Sequence, residues 1–313
     1  MKEVRLSGLG LLIILILPLI SPPSWAWQPG QVVELNQKVA PGVRLIWKAY
    51  VGKYNWPDTC HPLIFGEEIY HASNGDDGLE TDPYDRLYRF SADGKLLWSL
   101  SPLDEGDTSL GGVVACPDFI VVGCHNGYVY ALSHDGRLRW KFKTGDRVFS
   151  FSIGDVDGDR LVEVVVGSKD HNIYCIESGR VKWKVKTGGW VESSPGLGDI
   201  DGDGMAEVVV GSGDHNIYCI EGESGKVKWK VETGSGVSSS PALGDVDGDG
   251  IVEVVVGSDD GNIYCIEGES GKVKWKVKTG SDVDSSPTLG DVNGDGEVEV
   301  VVGSFDYNIY CIG

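Results

Sequence analysis

Residues 237–280 read VSSSPALGDVDGDGIVEVVVGSDDGNIYCIEGESGKVKWKVKTG, and this stretch decides the fold. It divides into four strand-length pieces. SSSPALGDV is the first. VEVVVGS is the second, with valines on both faces, which predicts burial on both. NIYCI is the third. KVKWKVK is the fourth, and it alternates: Val273, Trp275 and Val277 on one face, Lys274, Lys276 and Lys278 on the other. A lysine at every second position suits an outer edge strand, where charge blocks pairing with another molecule.

The unit recurs. Tryptophans at Trp98, Trp140, Trp183, Trp229 and Trp275 are spaced by 42, 43, 46 and 46 residues. Four-stranded units at that period predict an all-β fold, a β-propeller of four-stranded antiparallel blades. Full units run over 55–103, 107–147, 148–190, 191–236 and 237–282. A last unit reaches NIYCIG at 308–313, one strand short. RLIWKAYVG at 44–52 resembles the missing strand, with Trp47 in the tryptophan place. The expectation is a six-bladed ring whose last blade is closed by the N-terminal strand. Helical periodicity is absent after the N-terminal segment.

That segment reads as a secretory signal. Lys2 and Arg5 precede the apolar run 9–20, and SWA at 24–26 fits a small-x-small cleavage site. The run is short for a membrane span of roughly 20 residues. The expected organisation is a signal peptide over 1–26, a linker over 27–42 and the propeller over 43–313. The product would be secreted or held at the cell surface, without membrane insertion after cleavage, and monomeric. The net charge of -20 argues against nucleic acid and anionic membranes as partners and favours cations.

Four nine-residue loops concentrate that acidity: 155–163, 199–207, 245–253 and 291–299. Positions one, three, five and nine carry Asp155, Asp157, Asp159 and Glu163; Asp199, Asp201, Asp203 and Glu207; Asp245, Asp247, Asp249 and Glu253; and Asp291, Asn293, Asp295 and Glu299. The seventh position, Leu161, Met205, Ile251 or Glu297, would offer a carbonyl oxygen. Oxygen donors at this spacing suit Ca²⁺, which takes six to eight of them, better than Mg²⁺. Up to four Ca²⁺ sites are expected. Arg160 stands where the other loops have Gly204, Gly250 and Gly296. A bulky residue at a positive φ is strained, so the Asp155 site is expected to be weakest.

With these residues in view, LGDVDGDGIVEVVVGS (243–258) resembles the FG-GAP repeat of integrin α-subunit propellers. That resemblance implies calcium loops between the first and second strands of a blade. NIYCIEGESGKVKWKVKTG (262–280) resembles the repeat of PQQ-dependent dehydrogenase propellers. It implies an outer-strand tryptophan docked against the next blade, over a small residue on the third strand. Ala131, Cys175, Cys219, Cys265 and Cys311 hold that small-residue place. Bound quinone in that family comes with eight blades and a central charged constellation, neither of which is legible here.

The seven cysteines form an odd set. Four fill the small-residue place as buried side chains. Cys60 and Cys124 are candidates for a bridge in an oxidising compartment; Cys116 lies at the far end of its hairpin from Cys124.

Comparison among the repeats marks a candidate ligand face. The acidic loops and outer strands barely change. The turns between second and third strands do, at Lys169–His171, Gly213–His215, Asp259–Gly261 and Phe305–Tyr307. So do the links between blades, at Arg147, Trp190, Gly236 and Asp282. All belong to the end of the ring opposite the acidic loops. Trp190, Trp56, His171, His215, Phe305 and Tyr307 are the candidate contact residues. The acidic insertion 76–85 reads as a solvated loop. No Ser-His-Asp, Cys-His or zinc-type spacing stands out, and no catalytic residue is assigned. The expected function is a calcium-binding, non-enzymatic module for an extracellular protein or carbohydrate. The rival reading is a polysaccharide lyase or quinoprotein-like dehydrogenase, for which Lys53, Arg147 and Lys169 are the basic residues on the variable face.

Overall fold

The valine runs do what their two-faced pattern requires. In the computed structural model, Glu163–Ser168, Glu207–Ser212 and Glu253–Ser258 are buried at every position. Each lies second in an antiparallel sheet of four strands. The model describes residues 31–40, 43–50, 62–73, 86–100 and 110–313. The signal segment, Lys53, Trp56, Cys60 and the 76–85 insertion lie outside them.

Among the described residues, six sheets follow the N-terminal hairpin along the chain. The first comprises Leu63–Phe65, Glu68–Ser73, Arg86–Ser91 and Leu96–Leu100. The second comprises Leu110–Ala115, Ile120–Cys124, Tyr128–Leu132 and Leu138–Lys143. The third runs from Val148–Gly154 to Arg180–Lys186, the fourth from Gly196–Gly198 to Val227–Glu232, and the fifth from Ala242–Gly244 to Val273–Lys278. The sixth has three strands, Thr288–Gly290, Glu299–Gly303 and Ile309–Ile312. Within every sheet, neighbours in sequence are neighbours in space and run antiparallel. The first strands of successive sheets adjoin, which is the inner wall of a propeller.

The N-terminal strand departs from expectation. Val43–Tyr50 pairs with Gln31–Ala40, not with Ile309–Ile312. The first partner strand lies inside the segment read as a linker. Two residues separate the strands of this hairpin, whereas reaching Ile309 closes a loop of most of the chain, and closure entropy rises with loop length. Among the described residues no strand pairs with the outer edge of Ile309–Ile312, and Ile309 is 79% exposed.

Alternate valines of each second strand divide between two interfaces. Val164 and Val166 pack with Val121 and Val129 of the preceding sheet. Val165 packs with Val208 and Val210 of the following one. Val209 then meets Val254 and Val256, and Val255 meets Val300 and Val302. At about 1.5–3 kcal/mol for each buried aliphatic side chain, these interfaces dominate the stability. The glycine after each of the three fully buried valine runs, Gly167, Gly211 and Gly257, is forced by a valine of the segment that leads into the next sheet. A Cβ on Gly211 would lie 2.3 Å from Val237 Cγ1 and 2.6 Å from its carbonyl oxygen.

Candidate metal centres and ligand face

The acidic loops join first and second strands, at one end of the sheets. Each is wound by its own carboxylates. Asp245 accepts from the amides of Gly248 and Gly250 at 2.7 and 2.9 Å. Asp155, Asp199 and Asp291 repeat this pattern with their own loop amides. The fifth-position carboxylates of Asp159, Asp203, Asp249 and Asp295 accept from the amides of Leu161, Met205, Ile251 and Glu297 at 2.7–2.8 Å. The winding needs positive φ twice. Gly248 and Gly250 supply it at 75° and 87°, and Arg160 is held at 71° in the equivalent place. The strain expected at that residue is present.

The ninth-position glutamates are the buried floor. Glu163, Glu207 and Glu253 are fully buried, and Glu299 nearly so. One oxygen of each accepts from the loop's second amide, Val156, Ile200, Val246 or Val292, at 2.8–3.0 Å. Burial pushes the Glu163 and Glu207 carboxyls above their ordinary range.

Oxygen atoms of Asp155, Asp157 and Glu163 lie within 4.8 Å of one another. So do those of Asp199, Asp201 and Asp203, and those of Asp245, Asp247 and Asp249. An all-oxygen set of this kind fits a hard divalent cation. A stand-in cation occupies the same ground. The ammonium of Lys182 contacts Asp157 and lies 3.3 Å from Glu163. Lys228 contacts Asp201 and lies 3.1 Å from Glu207. Lys274 lies 2.5 Å from Asp247, 3.3 Å from Asp249 and 3.1 Å from Glu253. These lysines, read from sequence as edge charges, turn into the loops; Lys276 and Lys278 stay exposed. In the last loop Asn293 takes the lysine's place, its Nδ2 donating to Asp295 and Glu299 at 2.9 and 2.8 Å.

At the opposite end the variable positions pair off. Lys169 donates its amide to Arg147, Gly213 to Trp190, Asp259 to Gly236 and Phe305 to Asp282, at 2.8–3.0 Å. The residues that differ between repeats are therefore direct neighbours. Trp190, Phe305 and Tyr307 are exposed by 56, 61 and 99%. His171, His215 and Tyr307 occupy one turn position at φ 67–69°, where the fifth sheet has Gly261. The Lys169 ammonium lies 4.8 Å from the ring centres of Phe149 and Trp190 and 2.8 Å from Glu192. Asp259 Oδ1 is buried without a hydrogen-bond partner. Burial, then Asp284, Asp282 and Glu192, push its carboxyl up to about 7.

One structural device escaped the sequence reading. Asp170, Asp214, Asp260 and Asp306 lie within the variable turns yet never vary. Asp214 accepts from the amides of Asn216 and Gly188 and from the Tyr218 hydroxyl, at 3.2, 2.6 and 2.6 Å. Gly188 follows the outer strand of the preceding sheet, so this carboxylate ties two sheets together. The repeated D-x-N-x-Y spacing was the available signal. The tryptophans dock against the next sheet as the repeat resemblance implied. Trp183 and Trp229 donate to the carbonyls of Gly222 and Gly268 in the next sheet at 2.6 and 2.7 Å. Their rings cover the turn glycines Gly225 and Gly271. Cys175, Cys219 and Cys265 sit opposite the tryptophan of their own sheet.

Comparison with known proteins agrees with this architecture. The FG-GAP-like repeat model matches residues 199–256 and 245–302. The model described as outer membrane protein assembly factor BamB matches residues 84–185 and 125–201. No curated protein matches. Among solved structures, the computationally designed Ika8 protein is 15% identical, with a TM-score of 0.62 over 80% of this chain and 69% of that one. BamB from Moraxella catarrhalis is 15% identical, with a TM-score of 0.61 over 82% and 73%. The WD40 β-propeller domain of Doa1 is 15% identical, with a TM-score of 0.50 over 79% and 75%. Identity this low speaks to the fold alone. The chain is a β-propeller that carries BamB-type repeats in its middle and FG-GAP-like repeats toward its C-terminus.

Proposed function

We propose that this protein is a secreted, calcium-binding β-propeller that serves as a binding module for an extracellular protein or polysaccharide. The observation that carries the calcium part is the convergence of three carboxylate oxygens within 4.8 Å in successive loops. Asp155, Asp157, Asp159 and Glu163, and their counterparts in the other loops, would hold the ion. Bound there, it would neutralise the clustered charge and brace the end of each blade.

Support for the binding part comes from the opposite end. Trp190 is an exposed indole whose neighbouring repeats carry Arg147, Gly236 and Asp282, so the fold makes no demand for it. Exposed aromatics beside polar groups are the anchors that binding surfaces use. A glycan array probed with and without calcium tests this reading, together with Trp190→Ala. Truncating an anchoring indole costs about 2 kcal/mol or more in binding, while an exposed site costs under about 0.5 kcal/mol in stability. Unchanged affinity in Trp190→Ala would move the ligand site elsewhere.

The enzyme reading has one observation in its favour. On the variable face Asp259 Oδ1 is buried without a hydrogen-bond partner, and burial with the neighbouring carboxylates pushes its carboxyl up to about 7, a range suited to proton transfer. Lys169, a candidate base, is already engaged by Glu192 and two aromatic rings. Cleavage of any array polysaccharide would favour the enzyme over the module.

A further inference from the structure

The three lysines that enter the acidic loops share a backbone peculiarity. In the third sheet Cys175 pairs with Trp183 and Ile176 with Val181, leaving Lys182 as the extra residue of a β-bulge. Lys228 is skipped in the same way between Val227 and Trp229, and Lys274 between Val273 and Trp275. A bulge re-aims the side chain it displaces. Here it turns one lysine out of the alternating row and into the loop.

Sheets without an acidic loop provide the control. They carry the same bulge before the tryptophan, but the displaced residue is Leu97 in the first and Arg139 in the second. Leu97 is exposed, and Arg139 donates to the Asp118 carbonyl at 2.7 Å. The bulge therefore belongs to the blade plan, and lysine occupies it in the sheets where an acidic loop stands opposite. Lysine's reach is also uniform. Each ammonium contacts the third-position aspartate and the buried ninth-position glutamate.

We infer that Lys182, Lys228 and Lys274 are built-in counter-cations that compete with calcium for the loop carboxylates and set the order in which the loops fill. The inference rests on the calcium reading above. A divalent ion among Asp245, Asp247, Asp249 and Glu253 and an ammonium within 2.5–3.3 Å of three of those residues claim the same oxygens. Like charges so close repel strongly, so the lysine must withdraw for the ion to enter. The lysine loops are thereby held folded without metal and bind it weakly. The loop at Asp291 differs. Among the described residues no lysine pairs with its carboxylates, and its internal donor is the neutral amide of Asn293. It fills first. Lys182 touches four carboxylates, Asp157, Asp159, Glu163 and Glu177, so the Asp155 loop fills last.

Calorimetric titration with calcium chloride on the full chain, wild type against Lys274→Met, tests this. The expected result is a gain of about tenfold or more in affinity at one site, from loss of the competing charge. Lys274→Gln, which keeps a hydrogen-bond donor without the charge, should show the same gain. Should Lys274→Met unfold in chelator, recovery of its melting transition by calcium would support the inference. Failure of calcium to restore it, with Lys274→Gln binding as wild type does, would overturn it. Equal affinities in wild type and both variants would sink the lysine competition and leave the calcium reading standing. No uptake by any of the three at millimolar calcium would sink both.

Discussion

The two ends of the propeller treat their carboxylates differently. At the turn end, Asp170, Asp214, Asp260 and Asp306 each accept from two amides and a tyrosine hydroxyl. Their oxygens are spent on joining one sheet to the next. At the loop end, carboxylates converge, and in three of the four loops they share one lysine ammonium. The lesson is that a carboxylate saturated by fixed donors is architecture, whereas a cluster served by a flexible cation can exchange that cation for another.

The sharpest way to break this comparison is to remove a saturated carboxylate. Asp214→Ala strands the Gly188 amide and the Tyr218 hydroxyl, and a lost set of charge-assisted bonds costs about 2–3 kcal/mol. Chemical denaturation should show it. Burial draws Asp214 upward, but the bonds from Tyr218 and Gly188 outweigh it and hold its pKa below the ordinary range. Asp306 is held down at about 2, chiefly by Tyr310. A depressed carboxylate contributes fully above its unfolded pKa of about 3.9 and loses that contribution as pH falls through the folded value. Acid unfolding below pH of about 4 should therefore be less steep in Asp214→Ala. An unchanged acid limb would demote these bonds to bystanders.

A smaller effect, of opposite sign, is expected at Asp259. Its raised pKa means that the folded state binds more protons than the unfolded chain between pH of about 4 and about 7. Stability contributed by this group thus falls as pH rises through that window. Asp259→Asn should melt higher than wild type at pH 8 and no higher at pH 4. Equal gains at both would remove burial of the charge, and its repulsion by Asp284, Asp282 and Glu192, as the cause.

Much of this was written in residue spacing. Tryptophan period and two-faced valine runs carry the sheet order, because burial on both faces leaves a strand few other places. The acidic loops were legible because Asp, Gly and Glu recur at fixed offsets with one telling exception, Arg160. The pairing of Val43–Tyr50 was not, since RLIWKAYVG matches an outer strand and a hairpin strand equally well and only competition in space decides. Lys274 was misread for a different reason. Strict alternation places it with Lys276 and Lys278, and a bulge, which breaks that alternation, leaves no mark in composition. Asp214 was hidden by its neighbours, Gly213 and His215, whose variability drew attention to a ligand face and away from the invariant residue between them.

The account turns most directly on metal uptake. Chelator-treated full-length protein, titrated with calcium at physiological ionic strength, should take up as many as four ions in unequal steps. Its melting temperature should rise with free calcium, because an ion held by the folded state alone stabilises it by mass action. Absence of uptake at millimolar calcium, with a melting temperature indifferent to chelator, would contradict the reading of the acidic loops as calcium sites.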